Sequence, residues 1–256
     1  MTLSRGGRLG PPLLLVGALL VGWEAYCRMA GVSPVVLPSP TRILEQLWAF
    51  RGDAVRHALP TLGETIAGLG LSIVVSVAVA VVMDRFVTVR RALQPLLVAS
   101  QTVPVVAIAP LLVLWFGFGL APKILIVVLV TFFPVTIALI DGFAAATGPA
   151  TDVMHSFGAS PRQVFWKLRW PAALPSFFTG LRIAATYAVI GAVFGEYVGA
   201  YEGLGIWMQL SQNAFRTDLV FAAILLAAVL SVGLFAAVVA AERLVIPWYA
   251  AARRAG

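Results

Sequence analysis

A charged side chain inside a long apolar run is costly, about 2.5–3.5 kcal/mol in insertion measurements, so such residues are the first place to look for chemistry. Glu196 and Arg182 share one apolar run, and Glu64 lies near the start of another. Arg182 is near enough to the end of its run for the guanidinium to reach the interface, which gives it a structural role. Glu196 stands near the opposite end, where a carboxylate could gate a passage, meet a solute or pair with a neighbouring helix. Ser100, Gln101 and Thr102 form a polar run beside Pro95, Pro104 and Pro110. They are candidates to line a pathway, or else they satisfy backbone groups freed by the prolines.

Other chemistry finds no residues to carry it. His57 and His155 are about a hundred positions apart, without ligands at metal spacing, and the one cysteine, Cys27, excludes an internal disulfide or a Cys cluster. No G-x-x-x-x-G-K-[ST] run is present, so nucleotide hydrolysis would need another subunit. The chain is expected to hold no metal and no cofactor of its own. No nucleophile–base pair gathers at one depth, which disfavours a membrane-embedded enzyme.

The elements that position these residues follow from composition. Of 256 residues 61% are hydrophobic and 11% charged, where a soluble domain carries about 25% charged. Such a chain cannot cover itself with polar surface, so it is read as an all-α integral membrane protein in contact with lipid. The excess of 18 Lys+Arg over 11 Asp+Glu is then a topology signal, not a nucleic-acid patch. Windows of about 20 apolar residues fall at 9–30, 61–83, 92–116, 123–143, 174–200 and 219–246, giving six spans. The basic leader before the first window resembles a signal peptide, but no cleavage site follows, so that window is a retained anchor. Residues 1–59 form an anchor with an interfacial segment, 60–246 the core bundle and 247–256 a tail, all one domain. Between the first two spans, Thr41 is expected to cap a short surface helix presenting Ile43, Leu44, Leu47 and Trp48.

With the N terminus inside, eleven basic residues fall on the cytoplasmic side (Arg5, Arg8, Arg85, Arg90, Arg91, Arg162, Lys167, Arg169, Arg243, Arg253, Arg254) and six outside (Arg28, Arg42, Arg51, Arg56, Lys123, Arg216). Both termini are therefore expected in the cytoplasm. Small residues let helices approach in lipid. Gly191, Gly195 and Gly199 form one four-residue stripe, and Gly68, Ser72, Ser76 and Ala80 a second.

The loop at 147–175 carries two short amphipathic patterns. Thr151 is expected to cap the first, with Asp152 in its first turn and Val153, Met154 and Phe157 on one side; Gly158 supplies a left-handed stop. Ser160 caps the second, Pro161 takes its first position, Val164, Phe165 and Leu168 form its apolar face, and Pro171 and Pro175 end it. Two such helices with a glycine elbow read as a docking element.

These residues carry a resemblance. The stretch Asp152-Val153-Met154-His155-Ser156-Phe157-Gly158-Ala159-Ser160, followed by Trp170-Pro171-Ala172-Ala173-Leu174-Pro175, resembles the "EAA" loop of bacterial importer permeases of the ATP-binding-cassette superfamily. Asp152 stands where that pattern has Glu, Val153 and Met154 where it has Ala-Ala, and Gly158 matches its glycine. Ser100-Gln101-Thr102-Val103-Pro104, the run from Ala109-Pro110-Leu111-Leu112 to Trp115-Phe116-Gly117-Phe118-Gly119, Gly180-Leu181-Arg182 and Glu202-Gly203-Leu204-Gly205 are similar to the nitrate/sulfonate/taurine subgroup. The stretch from Ala185-Thr186-Tyr187 to Val193 is most similar to permeases for pyrimidine precursors of thiamine.

The resemblance implies a type I importer permease bundle in the bacterial inner membrane, multi-pass. It implies a second permease copy, two cytoplasmic ATPases that carry the ATP and Mg, and an external solute-binding protein. It makes the loop a coupling helix seated in an ATPase cleft through Asp152, Val153, Met154, Phe157, Gly158, Ala159, Ser160, Phe165 and Pro171. Ser100, Gln101, Thr102, Pro104, Tyr187 and Glu196 become the candidate path for a small organic solute or anion. The competing reading is a secondary transporter or channel. It needs no docking loop and usually shows repeated halves, and no second copy of the proline-rich span or of the 147–175 pattern is present.

Overall fold

The computed structural model describes residues 10–146 and 148–249. Among them there is no strand, and the chain is a bundle of helices: α1 (Gly10–Met29), α2 (Pro40–Ala49), α3 (Arg51–Arg85), α4 (Val87–Ser100), α5 (Val105–Phe116), α6 (Leu120–Ala145), α7 (Pro149–Ser156), α8 (Pro161–Val164), α9 (Trp170–Gly199), α10 (Leu204–Asn213) and α11 (Thr217–Val245). α1, α3, α6, α9 and α11 are each long and apolar enough to cross a membrane.

The third expected span differs from its window. It is two helices, α4 and α5, bent by 99° at a four-residue break. Pro104 begins α5, whereas Pro95 and Pro110 lie inside helices. At the break Ser100 Oγ and Thr102 Oγ1 donate to the carbonyls of Leu97 and Ala99, at 2.7 and 2.8 Å. Hydroxyls turned back onto carbonyls leave the helix ladder open at this point. α3 ends at the loop-bearing end of the bundle and α6 starts at the opposite end, so the bent pair makes the remaining crossing.

α9 is the axis of the core. It packs most extensively on α6, which in turn lies against α3, and α11 closes the other side. Both small-residue stripes sit in these seams. A Cβ on Gly68 would lie 2.5 Å from Val127, one on Gly191 2.8 Å from Val130, one on Gly195 3.2 Å from the Lys123 Cα, and one on Gly199 3.1 Å from Val113. Hence α9 lies close against α6 and α5: an added Cβ at Gly191 would force Val130 to shift, and one at Gly195 or Gly199 would meet a tight contact. Met83, Val135, Leu139, Phe143, Ala173 and Ala188 fill the interior toward the loop end, while Ile43, Leu204, Trp207 and Leu219 fill a second cluster at the opposite end.

Three local expectations are corrected. α2 is capped by Ser39, whose Oγ accepts from the Arg42 amide at 3.4 Å with Pro40 in the first turn; Thr41 instead donates to Glu24 at 2.8 Å. On the apolar face of α2, Ile43 is buried against the bundle while Leu44 and Trp48 are exposed, which does not contradict a surface helix. α7 starts after Gly148 rather than at Thr151, because Thr151 Oγ1 reaches back to the Ala146 carbonyl at 3.2 Å. Pro171 and Pro175 do not end the second loop helix. A π-turn at Phe165–Arg169 carries α8 into α9, giving 39 helical residues from Pro161 to Gly199. Its wider ring takes up the register change ahead of the prolines, and Pro171 sits in the first turn of α9, where its missing N–H costs least. Residues 1–9 and 250–256, with Arg5, Arg8, Arg253 and Arg254, lie outside the described residues.

Candidate functional site

Three assemblies of polar or exposed residues stand out, one at each end of α9 and one along its flank.

At the loop end, α7 turns into α8 through Gly158, whose φ of +76° is the left-handed conformation that favours glycine. Ser160 accepts from the Gln163 amide at 3.3 Å and Gln163 Oε1 accepts from the Ser160 amide at 2.8 Å, a reciprocal capping box. The tip is bare: Phe157 is 87% exposed, and Asp152, Val153 and Ser160 are also exposed, with Met154 and Ala159 partly covered. An exposed apolar tip of this kind is a candidate contact surface. Its root is tied to the bundle. Arg169 donates to Asp84 of α3 at 2.5 Å and to the Phe143 carbonyl of α6 at 3.3 Å. Phe165 lies against Phe143, Trp166 and Trp170, with ring centroids 5.2–6.2 Å apart. Pro171 is partly buried at that root.

Along the flank, the α4–α5 break opens onto a groove of about 810 Å³ between α4, α5, α6 and α9. Ser100, Gln101 and Tyr187 line it together with Phe132, Phe133 and Asp141. Thr102 and Pro104 sit at the break itself, both exposed. Glu196 is elsewhere.

Glu196 belongs to the opposite end and is fully buried. Its Oε1 accepts from Thr61 Oγ1 at 2.5 Å and its Oε2 from the Gly205 amide at 2.7 Å. Thr61 Oγ1 also accepts from the Leu204 amide at 2.9 Å, and His57 Nδ1 from the Gly203 amide at 3.1 Å. The start of α10 thus has its free amides satisfied by α3 and α9 rather than by a cap of its own. Gly203 and Gly205 permit this, since a Cβ on either would collide with the Glu196 side chain, and one on Gly205 also with the Val193 carbonyl. Next to this knot, Lys123 of α6 makes a buried ion pair with Glu64 of α3. In the preceding turn Arg56 grips Glu202 at 2.7 and 3.0 Å and holds that exposed carboxyl below the usual carboxylate range. Arg182, given a structural role by its place in the sequence, pairs with Glu242 of α11 at 3.3 Å. The described residues contain no group of three or more His, Cys, Asp or Glu suited to a metal.

Residues 68–247 match the family described as "Binding-protein-dependent transport system inner membrane component". The chain belongs to that family. It is the permease component of a binding-protein-dependent ABC importer, a multi-pass protein of the inner membrane. It is 42% identical over 238 residues to the formylaminopyrimidine transport permease protein ThiX of Halalkalibacterium halodurans, covering 93% of this chain and 95% of that one. The riboflavin transport system permease protein RibX of Chloroflexus aurantiacus is 33% identical (94% and 91% covered), and the taurine transport system permease protein TauC of Escherichia coli 32% (91% and 88%). The fold is similar to that of a chain of the MetNI methionine ABC transporter in an inward-facing conformation, with a TM-score of 0.67, 19% identity, and 77% of this chain and 98% of that chain covered.

Within the permease, the sequence-derived pathway residues divide. Ser100, Gln101 and Tyr187 come together in the flank groove, while Glu196 serves the elbow before α10. Lys123, Thr61 and His57 escaped the sequence reading as functional residues. The available signal was a Lys and a Glu at matching ends of two apolar windows, since neither is stable there alone.

Proposed function

We propose that this permease acts as half of a homodimer with two cytoplasmic ATPases and an external solute-binding protein, and that α7 and α8 are its contact with the ATPase. The cargo in this reading is a small organic solute of the thiamine pyrimidine-precursor class, as the names of the relatives suggest, with riboflavin-like, sulfonate or nitrate solutes as the broader family range. Both termini lie in the cytoplasm, on the side of the loop, in agreement with the basic-residue asymmetry. The observation that carries the reading is the bare, capped α7–α8 tip fixed to the bundle at its root.

The geometry supports a mechanical account. ATP closes the ATPase dimer and draws the two α7–α8 elements together. The Arg169–Asp84 pair and the Phe143, Phe165, Trp166 and Trp170 rings pass that movement to α3, α6 and α9. Because α8 runs on into α9, roughly 60 Å of helix at about 1.5 Å per residue links the tip to the elbow that Glu196 holds. Movement at one end therefore reaches the other, opening a central cavity to the binding protein, and hydrolysis reverses it.

Gly158→Arg tests the coupling contact. A side chain at this left-handed position costs about 1 kcal/mol, small for the whole molecule, while the new charge lies beside Phe157. We expect a permease that inserts and dimerises normally, loses transport, and fails to retain its ATPase in detergent pull-down. Wild-type transport with ATPase retained would overturn the assignment.

A further inference from the structure

The flank groove holds polar side chains that have no partner among the described residues. Gln101 and Tyr187 side chains and the Asp141 carboxylate face it, and none has a hydrogen bond or ion pair among the described residues, although each is exposed. Apart from the hydroxyls of Ser100 and Thr179, the remaining wall is apolar and aromatic, with Phe132 and Phe133. Among the described residues no lysine or arginine lines it. Arg182, which touches the lining residue Thr179 at 3.5 Å, is held by Glu242. A free carboxylate facing lipid would be expensive, so a groove containing one is better suited to water and a polar solute. An anion entering here would be desolvated beside a negative charge with no counterion, an unfavourable arrangement.

We infer that this groove selects by charge: it admits uncharged or cationic heteroaromatic solutes and disfavours anionic ones, with Asp141 setting the preference and Gln101 and Tyr187 offering hydrogen bonds to ring substituents. The inference rests on the importer reading, takes this groove as the solute path, and separates pyrimidine-like cargo from sulfonates within one family.

The test is the complete transporter in proteoliposomes, carrying Cys27→Ala and Gln101→Cys, alkylated by a cationic and by an anionic methanethiosulfonate of similar size. At low ionic strength the cationic reagent, normalised to its rate with free cysteine, is expected to react about tenfold faster than the anionic one. Asp141→Asn should bring the ratio near one, and Asp141→Lys should invert it. Millimolar formylaminopyrimidine should slow the alkylation, and taurine at equal concentration should not. A ratio near one in the parent, insensitivity to Asp141→Asn, or protection by taurine would overturn the inference, as would a cysteine inert to both reagents, which would mean that lipid or another copy fills the groove. Stimulation of ATP hydrolysis by the binding protein, measured in the same vesicles, keeps the two readings apart. If it is present and the alkylation pattern fails, only the charge selection falls; if it is absent, the importer reading falls with it.

Discussion

Lys123 is one ammonium buried beside two carboxylates, those of Glu64 and Glu196. Removing one partner of a buried pair costs about 3–5 kcal/mol, because the other is left charged and dry. Lys123→Met is therefore expected to destabilise the permease by that order, and adding Glu64→Gln should recover most of the loss. Thermal denaturation of the detergent-solubilised permease and its two variants checks this, and strictly additive effects would argue against the pair. Gly205→Ala makes a second case. Its methyl group would meet a backbone carbonyl of α9, which cannot step aside as a flexible side chain can. The expected cost is about 1–3 kcal/mol by overpacking, whereas Gly63→Ala, inside α3 with open space around it, should cost nothing and gain up to about 1 kcal/mol of helix propensity.

At the scale of elements, the periodic features were readable and the interrupted ones were not. The Ser160–Pro161 start of α8 follows from local chemistry, and so does the Gly158 turn, since caps act within one turn of chain. The four-residue spacing of Gly191, Gly195 and Gly199 likewise marks a face without naming its partner, which the structure gives as α6 and α5. Prolines were the difficulty. Pro95, Pro110 and Pro175 sit inside helices while Pro104 stands at a 99° bend. Whether a proline breaks a helix depends on what satisfies the carbonyl one turn earlier, and that partner can come from anywhere in the fold. The elbow before α10 was hidden for the same reason, because its amides are satisfied by Thr61 and His57, about 145 positions away. Gly195→Leu tests the seam. It must push α9 off the backbone of α6, so the yield of assembled permease and its melting temperature should fall, whereas Gly22→Leu on α1, with nothing near it, should leave both unchanged. Equal behaviour of the two variants would show that the stripe is not a close contact.

For the whole molecule, the six windows were legible from hydropathy alone, because water-to-lipid transfer is summed over some 20 residues and tolerates local errors. Direction is a separate question, decided by basic residues outside the spans. The fold adds a constraint of its own. Six crossings return the chain to the end it left, so α1 begins and α11 ends at the end that carries α7 and α8, with α2 and α10 opposite. Any measurement that fixes one end therefore fixes all of these elements together. In a Cys27→Ala background, Ser156→Cys on α7 and Asn213→Cys on α10, both exposed positions, should report opposite sides. A membrane-impermeant maleimide added to intact cells is expected to label position 213 and to reach 156 only after permeabilisation. The eleven-to-six asymmetry would have to be misread for the opposite pattern to arise, and with it the ATPase contact, since a coupling element outside the cell has no ATP-driven partner to meet. Labelling of both positions from outside would contradict the crossing by α9, the single span between them, whereas position 156 outside with 213 inside is the pattern that a bent α4–α5 pair dipping into the membrane without traversing it would give.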